Sequence, residues 1–272
     1  MQQKTYSTGR GTICYWVEHC PFSVWTLVFL PGLTADHTLF DRQIAYFSGR
    51  YSILVWDAPG HGASRPFPLD FSLDCQAQWL HDILSREEVQ SFCLIGQSMG
   101  GYVAQCFLQR YPNEAGGFIA IDSAPLKRRY VTGAELWALR HCEPIYRLYP
   151  WKTLQRAAVR GCACTQQGQA VMERMMSAYT RRSTVPWPDT ATGCWPRRWR
   201  PTCPMRSPVR RFCCAGSTTG PPPPGGITRR GRRGRGCLWC GCLERDTIPT
   251  RTTPRQLTSR LKRLCIVQQK LT

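Results

Sequence analysis

Two periodicities of apolar and polar residues run through the first two-thirds of the chain, and neither runs through the last third. Compact apolar runs at 24–30, 51–56, 92–95 and 117–121 are bounded by Gly, Pro or charged residues, the mark of strands buried on both faces. Residues 11–19 alternate enough to add another strand. Between these runs, 36–47, 73–84 and 101–110 carry apolar residues at helical spacing, the first capped near Ala35 and Asp36. Residues 134–179 read as helical throughout, broken at Pro144 and Pro150, with Trp137, Tyr146, Tyr149, Trp151, Met172, Met175 and Met176 along them. Strands alternating with helices predict an α/β fold, a doubly wound and mostly parallel sheet with right-handed crossovers. The helical stretch reads as an insertion whose apolar face would cap a substrate pocket.

One stretch organises the rest. The strand at 92–95 runs into Gly96-Gln97-Ser98-Met99-Gly100, and a helix follows at once. A strand, a sharp turn with small neighbours and a helix are what a nucleophile elbow requires. Gly96 and Gly100 would let strand and helix approach closely. Ser98 Oγ would stand at the helix N-terminus, where free N–H groups and the dipole favour a developing oxyanion. Gly-x-Ser-x-Gly by itself should occur by chance in roughly one chain of this length in ten. The placement between a strand and a helix, and not the motif alone, makes Ser98 the candidate nucleophile.

Composition then divides the chain. Its 272 residues suffice for one large domain, and its net charge is +19. Residues 1–182 hold 18 basic and 14 acidic residues, a net of +4; residues 183–272 hold 18 basic and 3 acidic, a net of +15. Pro rises over the same boundary, from 9 in the longer part to 12 in the shorter. No run of 18 apolar residues predicts a membrane span, and the polar start lacks the apolar core of a signal peptide, so a cytoplasmic protein with reduced cysteines is expected.

Three motifs in order carry a family resemblance: Phe29-Leu30-Pro31-Gly32-Leu33, Asp57-x-Pro59-Gly60-His61-Gly62-x-Ser64, and Gly96-Gln97-Ser98-Met99-Gly100. Together they resemble the α/β-hydrolase superfamily, most closely small bacterial esterase- or lactonase-like members with a helical cap, over residues 12 to about 181. The resemblance implies Ser98 as nucleophile and the backbone N–H groups of Leu33 and Met99 as oxyanion hole. It implies a small acyl substrate, no cofactor and no metal. His61 matches the family's structural loop, not its base, and Gln97 and Met99 would shape the pocket beside the nucleophile. The implied division is 1–125 for the core, 126–182 for the cap and 183–272 for a basic tail.

The family order continues with an acid after a later strand and a His near the C-terminus, which takes the serine proton. The histidines of this chain are His19, His37, His61, His81 and His141, and none comes later. Asp122, which ends a strand after the nucleophile, sits where some superfamily members place their acid, but a base would still be missing. Residues 183–272 show neither period, and their Arg, Pro, Gly, Cys and Trp content resembles GC-rich coding DNA read out of frame.

The residues permit a test, because each amino acid fixes most of its codon. Combining the third base of one codon with the first two of the next, Phe212-Cys213-Cys214 forces Leu-Leu. The stretch from Arg211 to Thr219 permits Leu-Leu-Leu-Cys-Gly-Glu-His-Asp, an apolar strand ending in an acid. In the same shifted frame the Trp239/Cys240 junction forces Val, and the Asp246/Thr247 junction allows only His or Tyr. One shift near 180–184 thus permits both missing elements, in order. As written, the tail is expected to be irregular and the sheet incomplete.

Two other readings of the tail weigh less. Its charge with Trp195, Trp199 and Trp239 could bind nucleic acid through phosphates and stacking, although no specific nucleic-acid partner is expected. Cys237-x₂-Cys240-x-Cys242 with Cys213-Cys214 lacks the second spaced pair of a zinc site. Oligomeric state is not legible in the sequence.

Overall fold

A computed structural model describes residues 1–123, 125–126, 149–163 and 165–180, and the backbone of 211–214. A seven-stranded sheet is ordered β1-β2-β4-β3-β5-β6-β7. Its strands are β1 (Gln2–Ser7), β2 (Thr12–Glu18), β3 (Thr26–Leu30), β4 (Ser52–Trp56), β5 (Phe92–Gln97), β6 (Gly117–Ile121) and β7 (Arg211–Cys214). β1 and β2 form an antiparallel hairpin, β2 runs antiparallel to β4, and the pairs from β4 through β7 are parallel. The expected mostly parallel α/β sheet is therefore mixed at one edge.

Side-chain alternation divides the core between the two faces. Val28, Leu30, Leu54, Trp56, Leu94 and Phe118 point to the face covered by α2 (Leu73–Arg86) and α3 (Met99–Arg110). Leu27, Phe29, Ile53, Val55, Ile95 and Ile119 point to the other, where α1 (Asp41–Phe47) lies with Phe40 and Phe47. Burial on both faces is why the central strands read as unbroken apolar runs. The helix predicted over 36–47 is two pieces: a 3-10 turn, His37–Phe40, capped by the Asp36 carboxylate on Thr38 N–H, and then α1.

Two further helices, α4 (Trp151–Cys162) and α5 (Gln166–Ser177), follow β6 in the chain among the described residues. Val159, Met172, Met175 and Met176 bury their side chains together against Ala35. This pair thus sits on the segment that leaves β3, above the C-terminal ends of the strands. Trp137, Pro144 and Tyr146, the first part of the expected cap, lie outside the described residues, as do His141 and the tail cysteines from Cys237 onward.

The pattern after residue 182 predicts no element, and β7 departs from that expectation. Arg211–Cys214 pairs in parallel with β6, Phe118 opposite Arg211 and Ile121 opposite Cys214. A strand edge presents unpaired N–H and C=O groups, and a short run such as Phe212-Cys213-Cys214 meets that need without any alternation in its sequence.

Candidate functional site

Ser98 lies between β5 and α3 with φ +49° and ψ −114°. A non-glycine residue with positive φ is uncommon and costs strain, which is the backbone expected of a sharp strand-to-helix turn. The turn is held from outside: Ser98 N–H donates to the Ile121 carbonyl at 2.8 Å, tying the elbow to the end of β6. From inside, Gly101 N–H and Tyr102 N–H donate to the Ser98 carbonyl and begin the helix. A Cβ on Gly96 would come within 2.5 Å of the Gly100 carbonyl, so strand and helix touch through bare backbone.

The segment after β3 lies against this elbow. A Cβ on Gly100 would strike the Leu30 carbonyl and stand 2.7 Å from that of Pro31, and one on Gly32 would strike the Gln97 side chain. The turn carrying Leu33 and the elbow carrying Ser98 are therefore one packed unit. Ala35 N–H donates to the Gly32 carbonyl at 3.2 Å. A trans peptide directs its N–H opposite its C=O, so Leu33 N–H is turned away from the interior of its own turn. Met99 is the first residue of α3 and is buried, and its N–H is one of those a helix start leaves unpaired by the helix itself. A serine nucleophile beside such donors can attack a carbonyl and have the resulting oxyanion met by backbone dipoles.

The described histidines are committed elsewhere. His61 is buried, its Nδ1–H donates to the Pro59 carbonyl at 3.0 Å, and burial pushes its pKa down to about 4. His19 lies by Glu87, and His81 stacks on Tyr111 with Glu114 beside it. His37 has the outward form of a catalytic imidazole, because its Nδ1 meets the fully buried Asp57 carboxylate at 3.0 Å. Its ring, however, stacks on Trp16 of β2 with centroids 3.7 Å apart. β2 is three strand positions from β5, about 14 Å at ordinary strand spacing, so the stack on Trp16 draws the His37 ring toward the β2 side of the sheet.

Asp57 also explains the second motif. Its Oδ1 accepts His37 N–H at 2.6 Å, and its Oδ2 accepts Ala63 N–H at 2.7 Å, folding the 57–64 loop under the 31–40 segment. Ser64 Oγ donates to the Asp57 carbonyl and accepts Cys14 N–H. The end of α5 fastens to both segments. Arg174 donates to Thr38 Oγ1, Arg65 donates to the Ala178 carbonyl at 2.6 Å, and the Arg65 guanidinium lies 4.5 Å from the Tyr179 ring. The Arg65–Tyr179 contact carries no signal in the sequence pattern, since it joins residues more than a hundred positions apart.

Asp122, one residue past β6, has φ +48° and comes directly after the carbonyl that holds Ser98 N–H. Among the described residues no cluster of His, Cys, Asp and Glu could hold a metal ion, and no helix is long and apolar enough to cross a membrane.

Comparison with known proteins adds four findings. A model described as the alpha/beta hydrolase family matches residues 27–265. The monoacylglycerol lipase abhd6-A of Xenopus laevis is 26% identical over 129 residues, 46% of this chain and 38% of that protein. The 3-oxoadipate enol-lactonase 2 of Acinetobacter baylyi is 26% identical over 98 residues, 36% of this chain and 37% of that one. The chain thus spans under two-fifths of the length of these relatives. Among solved structures, one described as cleaving the ring of the Pseudomonas quinolone signal superposes with a TM-score of 0.63 at 18% identity, over 77% of this chain and 80% of that one, a likeness of fold.

Proposed function

The chain belongs to the alpha/beta hydrolase family, and on that premise we propose that it is the nucleophile-bearing part of a cytoplasmic serine hydrolase for a small ester- or lactone-type acyl substrate. The observation that carries this reading is the strained Ser98 backbone between β5 and α3, with the Leu33 turn packed on it. Ser98 Oγ attacks the carbonyl, the Leu33 and Met99 N–H groups receive the oxyanion, and water releases the acyl group. In this reading residues 1–125 supply the core, to which β7 adds an edge strand, 126–182 the cap, and 183–272 an out-of-frame tail.

The same reading makes the chain close to inactive as written. No His comes after His141, and the described ones are bound at other places. In another serine hydrolase, loss of the base lowers turnover about 10⁶-fold. The tail read one base out of step permits an acid across Thr218/Thr219 and a His across Asp246/Thr247; no residue of the present chain fills either role. The place of β7 beside β6 supports an in-family strand at this point of the chain.

A fluorophosphonate probe followed by peptide mass mapping tests the nucleophile. The serine oxygen bonds to phosphorus, fluoride leaves, and the hydroxyl proton passes to water. The adduct is expected on Ser98, slow in this chain and fast in one with the shifted tail. Labelling of both chains at another residue, or of neither, would overturn the assignment.

A further inference from the structure

We propose that Thr34 is a positioning residue that aims the Leu33 N–H at the Ser98 elbow, an inference that rests on the serine-nucleophile reading above. Residues 32–35 make a reverse turn closed by Ala35 N–H on the Gly32 carbonyl at 3.2 Å, with Leu33 and Thr34 at its corner. Thr34 has φ +66°. A reverse turn with positive φ at its third position takes Gly or Asn, and a β-branched residue there is an outlier.

What threonine adds is its hydroxyl. Thr34 Oγ1 donates to the Leu33 carbonyl at 2.6 Å, and neither Gly nor Asn has a hydroxyl to place there. Both carbonyls around Leu33 are then anchored, that of Gly32 by Ala35 N–H and that of Leu33 by Thr34. The Gly32 carbonyl shares a peptide plane with Leu33 N–H, so fixing one end aims the other. Gly32 rests on Gln97 and Gly100 on Pro31, which transmits the aim to the elbow.

The distribution of strain agrees. Five non-glycine residues have positive φ among those described. Glu88 and Asn113 lie just beyond the ends of α2 and α3, but Thr34, Ser98 and Asp122 follow β3, β5 and β6, at the C-terminal ends of three adjacent parallel strands. Backbone strain of this kind persists where the surroundings over-determine it and gathers at working sites.

An alkylboronic acid tests the role without needing turnover. With n-butylboronic acid the serine oxygen bonds to boron, the hydroxyl proton leaves to water, and boron becomes a tetrahedral anion. One boron-bound oxygen then occupies the place of the oxyanion. Affinity by boron-11 NMR and the melting temperature are read for the full chain and for Thr34→Gly, Thr34→Ser and Ser98→Ala. Misplacement by about 1 Å can cost a hundredfold, so Thr34→Gly is expected to weaken binding roughly tenfold or more. Its melting temperature is not expected to fall, because relief of strain offsets the lost hydrogen bond, and Thr34→Ser keeps the affinity. Wild-type affinity in Thr34→Gly, equal loss in Thr34→Ser, or binding and melting falling together would overturn the role of Thr34 alone. Binding that is absent, or that survives in Ser98→Ala, would overturn the serine reading and this inference with it.

Discussion

Replacing Asp57 exposes how much of the site's frame hangs on one carboxylate. The side chain is fully buried and receives His37 N–H at 2.6 Å, His37 Nδ1 at 3.0 Å and Ala63 N–H at 2.7 Å. Asp57→Ala leaves these donors facing a void. Each unsatisfied buried group costs about 1–3 kcal/mol, and breaking a buried charged pair costs about 3–5 kcal/mol in all. Since His37 is half-buried and water reaches it, about 4 kcal/mol is the expected loss. At roughly 2–4 °C per kcal/mol, the melting temperature drops by about 8–16 °C. Asp57→Asn keeps one acceptor and turns an N–H toward another N–H, for about half that loss.

The loss depends on pH. Burial opposes protonation of His37, but the hydrogen bond and charge of Asp57, with the charges of Asp36 and Asp41, outweigh it and raise the pKa. The stabilisation is full below the unfolded value, near 6.5, and fades as pH rises through the folded one. Denaturant unfolding should therefore show a larger gap between wild type and Asp57→Asn at about pH 5.5 than at about pH 9. A gap that is equal at both values, or larger at the alkaline one, refutes the pairing.

Single contacts give further expected outcomes. Gly100→Ala drives a methyl group into the Leu30 carbonyl, so a loss of about 1–3 kcal/mol in denaturant unfolding and of boronate binding is expected together. Glu87 anchors the β1–β2 hairpin, taking Lys4 Nζ at 2.6 Å and Tyr15 Oη–H at 2.7 Å. Burial works against its ionisation, but these partners win and lower its pKa. Its contribution is then present above the unfolded value, near 4.3, and lost as pH falls through the folded one, a loss in acid titration that Glu87→Gln abolishes. Met175→Ala opens a cavity under α5 and is expected to cost about 2–5 kcal/mol of local stability, read as faster amide exchange in α4 and α5 than in β5.

Strands buried on both faces were legible because their apolar runs are unbroken: 117–121 and most of 51–56 and 92–97 fall where the pattern places them. β1 was not, because Gln2–Ser7 is an edge strand with no apolar stripe, held by its ladder with β2 and by Tyr6 on Asp82. β7 was not, since four residues are too few to show a period. At the site, Ser98 and the glycines around it were readable from the short motif. The strain at Thr34, the Asp57 bonds to His37 and Ala63, and the Arg65–Tyr179 contact depend on how loops meet in space, which no local pattern encodes.

The most direct test of a serine nucleophile stranded without its base is ester turnover by two chains that differ only after residue 182. One is the present chain, and the other carries the tail read one base out of step. With p-nitrophenyl butyrate, the shifted chain should turn over and lose that activity on Ser98→Ala, while the present chain should not exceed its own Ser98→Ala variant. Turnover that depends on Ser98 in the present chain would show that a base already lies within it, and would contradict the assignment.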